Sequence, residues 1–237
     1  MTRVVKARDV RREELLDAAL RLFADRGYHD TSVQAVTDAA GVAKGLFYHY
    51  FDSKEDLLDD LAVREADRIF AEVYAAHDET SGTPLEQLAF LLGMLARWMF
   101  GDARGLMGAL LHAAYRDGNA GLRDTLYERY DELLRPLVRE HVEEAAAAGQ
   151  ADVEDAEATT EVLLAMWTGL RERQMRLLLD LGRHPEAVGL IVRQAEAGER
   201  AAERILGVPE GTLHIYDHAT IESSLLSLAA AEEPRGA

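Results

Sequence analysis

The sequence predicts an all-α fold in two parts, a small N-terminal helical domain and a larger helical body. Three observations predict it. Alternating runs of Val, Ile and Thr bounded by turns, the mark of strands, are absent from the 237 residues. Leu, Ala, Glu and Arg, all good helix formers, dominate instead. Cap and breaker residues such as Gly27, Gly41, Ser53, Asp155 and Pro185 punctuate apolar stripes of helical period.

The elements follow in order. Leu15, Ala19, Leu22 and Phe23 recur at helical spacing, so residues 10–26 read as an amphipathic helix that Gly27 ends. Thr31 and Gln34 fit a capping box, which starts a second helix at about Ser32 with Val33, Val36 and Ala40 inward. Gly41 can take the positive φ of a tight turn, and Val42 plugs the angle. A third, short helix runs from Ala43 to Tyr50. A long helix begins near Ser53, with Glu55 and Asp56 favouring its first turn, and reaches about Ala76. After the loop at 78–84, helices are expected at 85–100, 103–116 and 120–147, the last kinked or broken by Pro136. Two further long helices span about 155–181 and 186–206, the second with Pro185 in its first turn, and a short one follows from about Ala219.

Charge divides the chain in the same place. Residues 1–54 hold nine Lys/Arg, including an Arg3–Arg12 arm, against eight Asp/Glu, whereas the remainder holds 17 against 35. A near-neutral head therefore precedes a strongly acidic body, a division that fits two parts with different partners. Cysteine is absent, which removes disulfides and thiolate chemistry. The N-terminus is charged and polar, and no apolar run approaches the roughly 18–20 residues of a membrane span. A cytoplasmic protein without a membrane partner is expected.

Two short helices joined at a glycine have the spacing of a helix-turn-helix, whose second helix enters the DNA major groove. The second helix here is unlike a core helix. Phe47 and Phe51 can face inward, while Lys44, Tyr48 and His49 carry polar tips suited to phosphates and base edges. Lys54, at the start of the next helix, could hold a phosphate together with nearby backbone N–H groups. An ordinary helical hairpin with amphipathic aromatics has the same spacing.

The block "ELLDAALRLFADRGYHDTSVQAVTDAAGVAKGLFYHYFDSKEDLL" resembles the N-terminal DNA-binding domain of the TetR family of transcriptional regulators. The resembling pieces are "AALRLFADRGY", Thr31, "AAGVAKG", "FYHYF" and "SKEDLL". The resemblance implies that residues 1–54 form a helix-turn-helix domain, with a linking helix from about 53, and that 55–237 form a ligand-binding and dimerisation domain. It implies that Gly45 lets the recognition helix approach the DNA backbone, that Tyr48 and His49 reach phosphates or bases, and that Lys54 clamps a phosphate. Thr31 and Gln34 would lie near the backbone. Many members carry Thr or Ser where this chain has Leu46, which could instead touch a thymine methyl.

In the body, Phe70, Tyr74, Phe90, Met94 and Trp98, followed by Met107, Leu111, Tyr115, Tyr127 and Trp167, supply bulky apolar surface. Most of it is needed for a core, but Met and aromatic side chains also suit a cavity for a small hydrophobic effector. Residues 156–181 and 186–206 resemble the two helices that pair with a second subunit as a four-helix bundle. Leu163, Met166, Leu170 and Leu177 form an apolar stripe there, Gly169 permits close approach, and Ile191 and Ala195 lie on the other helix. Packing within one chain would use the same spacing.

Enzyme motifs are missing: there is no HExxH, GxSxG or glycine-rich phosphate loop. The "HIYDH" run, with His214, Asp217 and His218, reads as surface or capping residues, and no metal or other cofactor is assigned. The expectation is a homodimeric repressor that binds double-stranded operator DNA and is released by an uncharged or weakly charged hydrophobic molecule. The competing readings are an activator, a regulator that answers to a protein, and a helical ligand-binding or enzymatic protein that retains a vestigial head.

Overall fold

The computed structural model describes residues 2–101 and 120–232, with side chains at 10–94 and 120–230. The helix expected at 103–116, and the side chains of Trp98, Met107, Leu111 and Tyr115, lie outside the described residues. The described residues form helices and loops without strands. They make α1 (Thr2–Arg26), α2 (Val33–Ala40), α3 (Lys44–Tyr50), α4 (Lys54–Asp78), α5 (Pro84–Gly101), α6 (Ala120–Ala147), α7 (Ala156–Leu178), α8 (Ala187–Ile205) and α9 (His218–Glu232).

The chain forms two compact units. One is Met1–Arg68 with a later stretch that ends at Leu126. The other is Ile69–Gly101 with Tyr127–Ala237. The core of the first unit is built from Leu15, Leu16, Ala19 and Phe23 of α1, Val36 of α2, Phe47 of α3, Phe51 and Leu57, each at most 1% exposed. Their spacing is the helical period that marked them in the sequence.

In the second unit, α7 packs on α8, and α9 on α5 and α8. One face of α7 is buried through Thr160, Leu163, Leu164, Gln174, Met175 and Leu178. Gly198 of α8 lets α7 approach: a Cβ there would stand 2.7 Å from Leu170 Cδ2. The segment after α8 is irregular, yet two carboxylates hold it. Leu213 N donates to Glu203 Oε1 at 3.0 Å and Ile215 N to Glu199 Oε1 at 2.9 Å. Glu203 is 2% exposed, and these backbone donors account for its burial. Asp217 caps α9, accepting from Thr220 N at 3.2 Å.

Three expectations are corrected. α1 begins at Thr2, a full two turns before residue 10. α6 continues through Pro136, so of the kink or break expected there the break does not occur. Proline removes the helical bond to the Glu132 carbonyl, and the neighbouring Leu133 carbonyl accepts from the Tyr74 hydroxyl. The capping box on Thr31 does not form, because Ser32 is the N-cap of α2 and its side chain accepts from Ala35 N at 3.1 Å.

Candidate nucleic-acid interface

The turn between α2 and α3 is built as expected. Gly41 has φ +66°, its N–H donates to Asp38 O, and Val42 N donates to Thr37 O. This closure uses the last carbonyls of α2 and needs the left-handed conformation that glycine adopts without strain. It sets α3 directly after α2. Phe47 anchors α3, fully buried against Phe51 with ring centroids 5.5 Å apart. The residues on either side of that anchor are turned outward.

Tyr48 is 52% exposed, a high value for a tyrosine in a folded domain. His49, Lys44 and Gly45 are exposed too, and Leu46 is half-buried. No acidic side chain occurs in α3. A Cβ added to Gly45 would meet nothing within 4 Å. Packing within the chain therefore makes no demand for glycine at this position, and the bare backbone faces outward. On α2, Gln34 is exposed and donates to Asp38 Oδ1 at 2.8 Å.

Two of the expected DNA contacts are placed differently. Thr31 is 1% exposed, and its hydroxyl donates to Gly27 O at 2.8 Å. It ties the α1–α2 connection and has no free surface to offer a phosphate. Lys54 lies 4.0 Å from the centre of the Tyr28 ring and donates to Tyr28 O at 2.9 Å and Thr31 O at 3.0 Å. Two of its three N–H donors are thus spent inside the head, which leaves one for a phosphate. The N-terminus of α4 is also partly closed: Asp56 N donates to Ser53 Oγ, and Asp52 N to Asp56 Oδ2. Tyr28 completes this junction by donating to Glu55 Oε1 at 2.9 Å, a bond that helps hold the Glu55 carboxyl below its ordinary range, after backbone hydrogen bonding.

In the second unit, three expected effector contacts, Phe70, Tyr74 and Tyr127, gather around Tyr130 and Arg171. Phe70 is fully buried, with its ring 6.0 Å from that of Tyr74 and 5.4 Å from that of Tyr130. Tyr127 and Tyr130 both carry the Arg171 guanidinium over their rings. Trp167, one turn before Arg171, donates through Nε1 to the Tyr216 hydroxyl at 3.2 Å. Phe90 and Met94 of α5 are half-buried. Sequence reasoning passed over Arg171, although it falls seven residues after Leu164 and four after Trp167, on the apolar stripe.

The expected contacts between copies divide. Leu163 is 2% exposed, and Ile191 and Ala195 are fully buried within the single chain. Their surface is already spent inside it, so they are withdrawn as contacts between copies. Met166, Leu170 and Leu177 are half-buried, and Gly169 is exposed with open space around it. Val162, on the same outward side of α7, is 53% exposed. Among the described residues no three His, Asp or Glu gather as a metal site, and no helix is long and apolar enough to cross a membrane.

Residues 15–61 match the model of the bacterial regulatory proteins of the tetR family. The chain is similar to the HTH-type transcriptional repressor KstR2 of Mycobacterium tuberculosis (strain ATCC 25618 / H37Rv), 41% identical over 88 residues, which are 37% of this chain and 44% of that protein. It is 30% identical over 115 residues to the fatty acid metabolism regulator protein of Bacillus subtilis (strain 168), covering 48% of this chain and 58% of the relative. The chain thus spans less than two thirds of the length of these relatives. Its fold is similar to that of RolR in complex with resorcinol, with a TM-score of 0.61 at 19% identity over 93% of this chain and 95% of the other. It is also similar to FadR of Bacillus subtilis in complex with stearoyl-CoA, with a TM-score of 0.55 at 19% identity over 94% and 99%.

Proposed function

With the helix-turn-helix domain of the TetR family at residues 15–61 and the TetR fold beyond it, this chain is, we propose, a dimeric transcriptional repressor released from operator DNA by a small molecule. The observation that carries this reading is α3. Phe47 locks the helix into the core, and Lys44, Gly45, Tyr48 and His49 stand outward on a face without acids. Lys44 contributes a phosphate contact. Gly45 admits the DNA backbone, and Tyr48 and His49 reach phosphates or base edges in the major groove. Lys54 acts mainly by positioning, through the carbonyls of Tyr28 and Thr31.

One recognition helix reads one half-site. Two copies related by a two-fold axis read two half-sites about 34–36 Å apart, one turn of DNA. The outward side of α7, with Val162, Met166 and Gly169, is the contact between copies. The second unit holds the effector among Phe70, Tyr74, Tyr127 and Trp167. The similar proteins, a fatty acid metabolism regulator and a regulator seen with stearoyl-CoA, support an effector with a long apolar part. The reading includes no enzymatic step and a cytoplasmic location.

The test is a gel shift and footprint on the DNA beside the protein's own gene at physiological salt. A protected two-fold sequence with half-sites one helical turn apart is the expected result. Binding no tighter than to unrelated DNA of equal length would leave α3 an ordinary surface helix.

A further inference from the structure

The inward face of α7 follows a regular stripe: Leu163, Leu164, Gln174 and Met175 are buried, and Trp167 and Arg171 between them are half-buried. An apolar residue would be expected at 171, three to four residues from its neighbours on both sides. The stripe instead carries a guanidinium, half-buried. Its carbon lies 4.7 Å from the ring centre of Tyr130 and 5.4 Å from that of Tyr127. Nearby arginines are neutralised: Arg135 meets Asp131 and Glu161, and Arg176 meets Glu172. Among the described residues Arg171 meets no carboxylate, although acids outnumber bases two to one beyond residue 54. Among the described residues its partners are thus ring faces alone, and its N–H donors are not committed to a carboxylate within the chain.

We propose that Arg171 is the anion-recognition group of the effector site, and that the effector is an otherwise apolar molecule bearing a carboxylate or phosphate. The inference rests on the reading of the second unit as an effector domain, and it narrows the uncharged or weakly charged hydrophobic molecule expected from the sequence to one with an anionic end. The two tyrosines cover the guanidinium face and fix its plane. Its N–H edge stays available, and that edge matches the two oxygens of a carboxylate or phosphate. A lysine offers no such fork. One turn earlier on the same face, Trp167 spends its only donor on the Tyr216 hydroxyl. The Tyr216 hydroxyl accepts that bond and so keeps its own proton for a ligand oxygen, and burial raises its pKa to about 12. Arg171 and Tyr216 thus present two kinds of donor beside an aromatic wall, a set suited to an amphiphile with one charged end.

The probes are a matched pair of dyes, 8-anilinonaphthalene-1-sulfonate and its uncharged relative N-phenyl-1-naphthylamine, titrated against the full chain. Arg171→Met should weaken the sulfonate dye at least tenfold and the uncharged dye less than twofold. Arg171→Lys, which keeps the charge and loses the fork, should fall between wild type and Arg171→Met. Helical content and melting temperature confirm that each variant is folded. An equal change for both dyes, or none for either, would overturn the proposal. So would a monomeric Arg171→Met, which would assign the guanidinium to the contact between copies. If the wild type takes up neither dye at a saturable site, the effector-domain reading fails and this inference fails with it. Uptake of both dyes without dependence on Arg171 sinks the inference alone. Displacement of the sulfonate dye by stearate identifies a carboxylate as the anion, and displacement by stearoyl-CoA but not stearate identifies a phosphate.

Discussion

His77 of α4 and His141 of α6 face each other with their Nε2 atoms 2.7 Å apart and their rings 4.8 Å apart. At that distance one ring donates and the other accepts, so the pair is complete only while one imidazole is neutral. His141 is 3% exposed, and burial, with the charge of His77 second, holds its pKa below 6.5. Glu144 lies 3.5 Å from His141 Nδ1 and Asp78 lies 3.9 Å from His77 Nδ1, and Glu140 also acts on His141; Glu144 and Glu140 oppose the shift without reversing it.

This pair predicts acid sensitivity with a definite sign. A histidine whose folded pKa is lowered binds its proton more weakly in the folded state. Its contribution is therefore present above the unfolded value near 6.5 and is lost as pH falls through the folded value. Wild type and His141→Gln should differ in melting temperature at pH 7.5, and the gap should narrow by pH 5. A gap that widens on acidification would reverse the assignment.

The head predicts a separation of stability from DNA binding. Tyr48 is exposed, so Tyr48→Phe should change stability by no more than about 0.5 kcal/mol while weakening operator affinity. Lys44→Ala should leave the fold intact and reduce the slope of log affinity against log salt by about 0.9. Lys54→Ala should instead cost about 1–3 kcal/mol of stability, because Tyr28 O and Thr31 O lose a charged donor. Denaturant unfolding and binding isotherms at several salt concentrations separate the three.

The Lys54 case marks where the sequence was informative and where it was not. The turn at Gly41 and the inward Phe47 and Phe51 were readable, because helical period and a required positive φ leave few alternatives. Thr31 and Ser32 were not separable, since adjacent hydroxyl residues each have a partner three positions on. Burial decided it, by giving the Thr31 hydroxyl to Gly27 O. Pro136 misled because one missing N–H donor does not end a 28-residue helix whose other turns are held by packing. Arg171 was passed over because a charge on an apolar stripe looks the same in sequence whether it is paired, exposed or stacked.

The two faces of α7 predict different failures. Val162 is 53% exposed and Met166 half-buried, so Val162→Glu with Met166→Glu should yield folded monomers that no longer hold a two-site operator. Ile191 is fully buried in one chain, and Ile191→Ala should cost about 2–5 kcal/mol through its cavity without a selective loss of the dimer. Light scattering with thermal unfolding distinguishes the outcomes. A dimer that survives both glutamates would move the contact between copies elsewhere.

Release of DNA by an effector predicts a reciprocal effect. An effector that binds the DNA-incompetent state 100-fold better shifts the equilibrium by about 2.7 kcal/mol, and linkage requires operator DNA to weaken the effector by the same factor. An anion entering at Arg171 also adds negative charge to a body that already has 35 acids against 17 bases. Its long-range repulsion of DNA is damped over a Debye length of about 8 Å at physiological salt. The coupling measured at 0.15 M and at 0.5 M salt should therefore agree within about twofold if conformational change carries it, with the dimer persisting throughout. A coupling that collapses at high salt, or that appears only as the protein dissociates into monomers, would make the effector's charge or the contact between copies the working part.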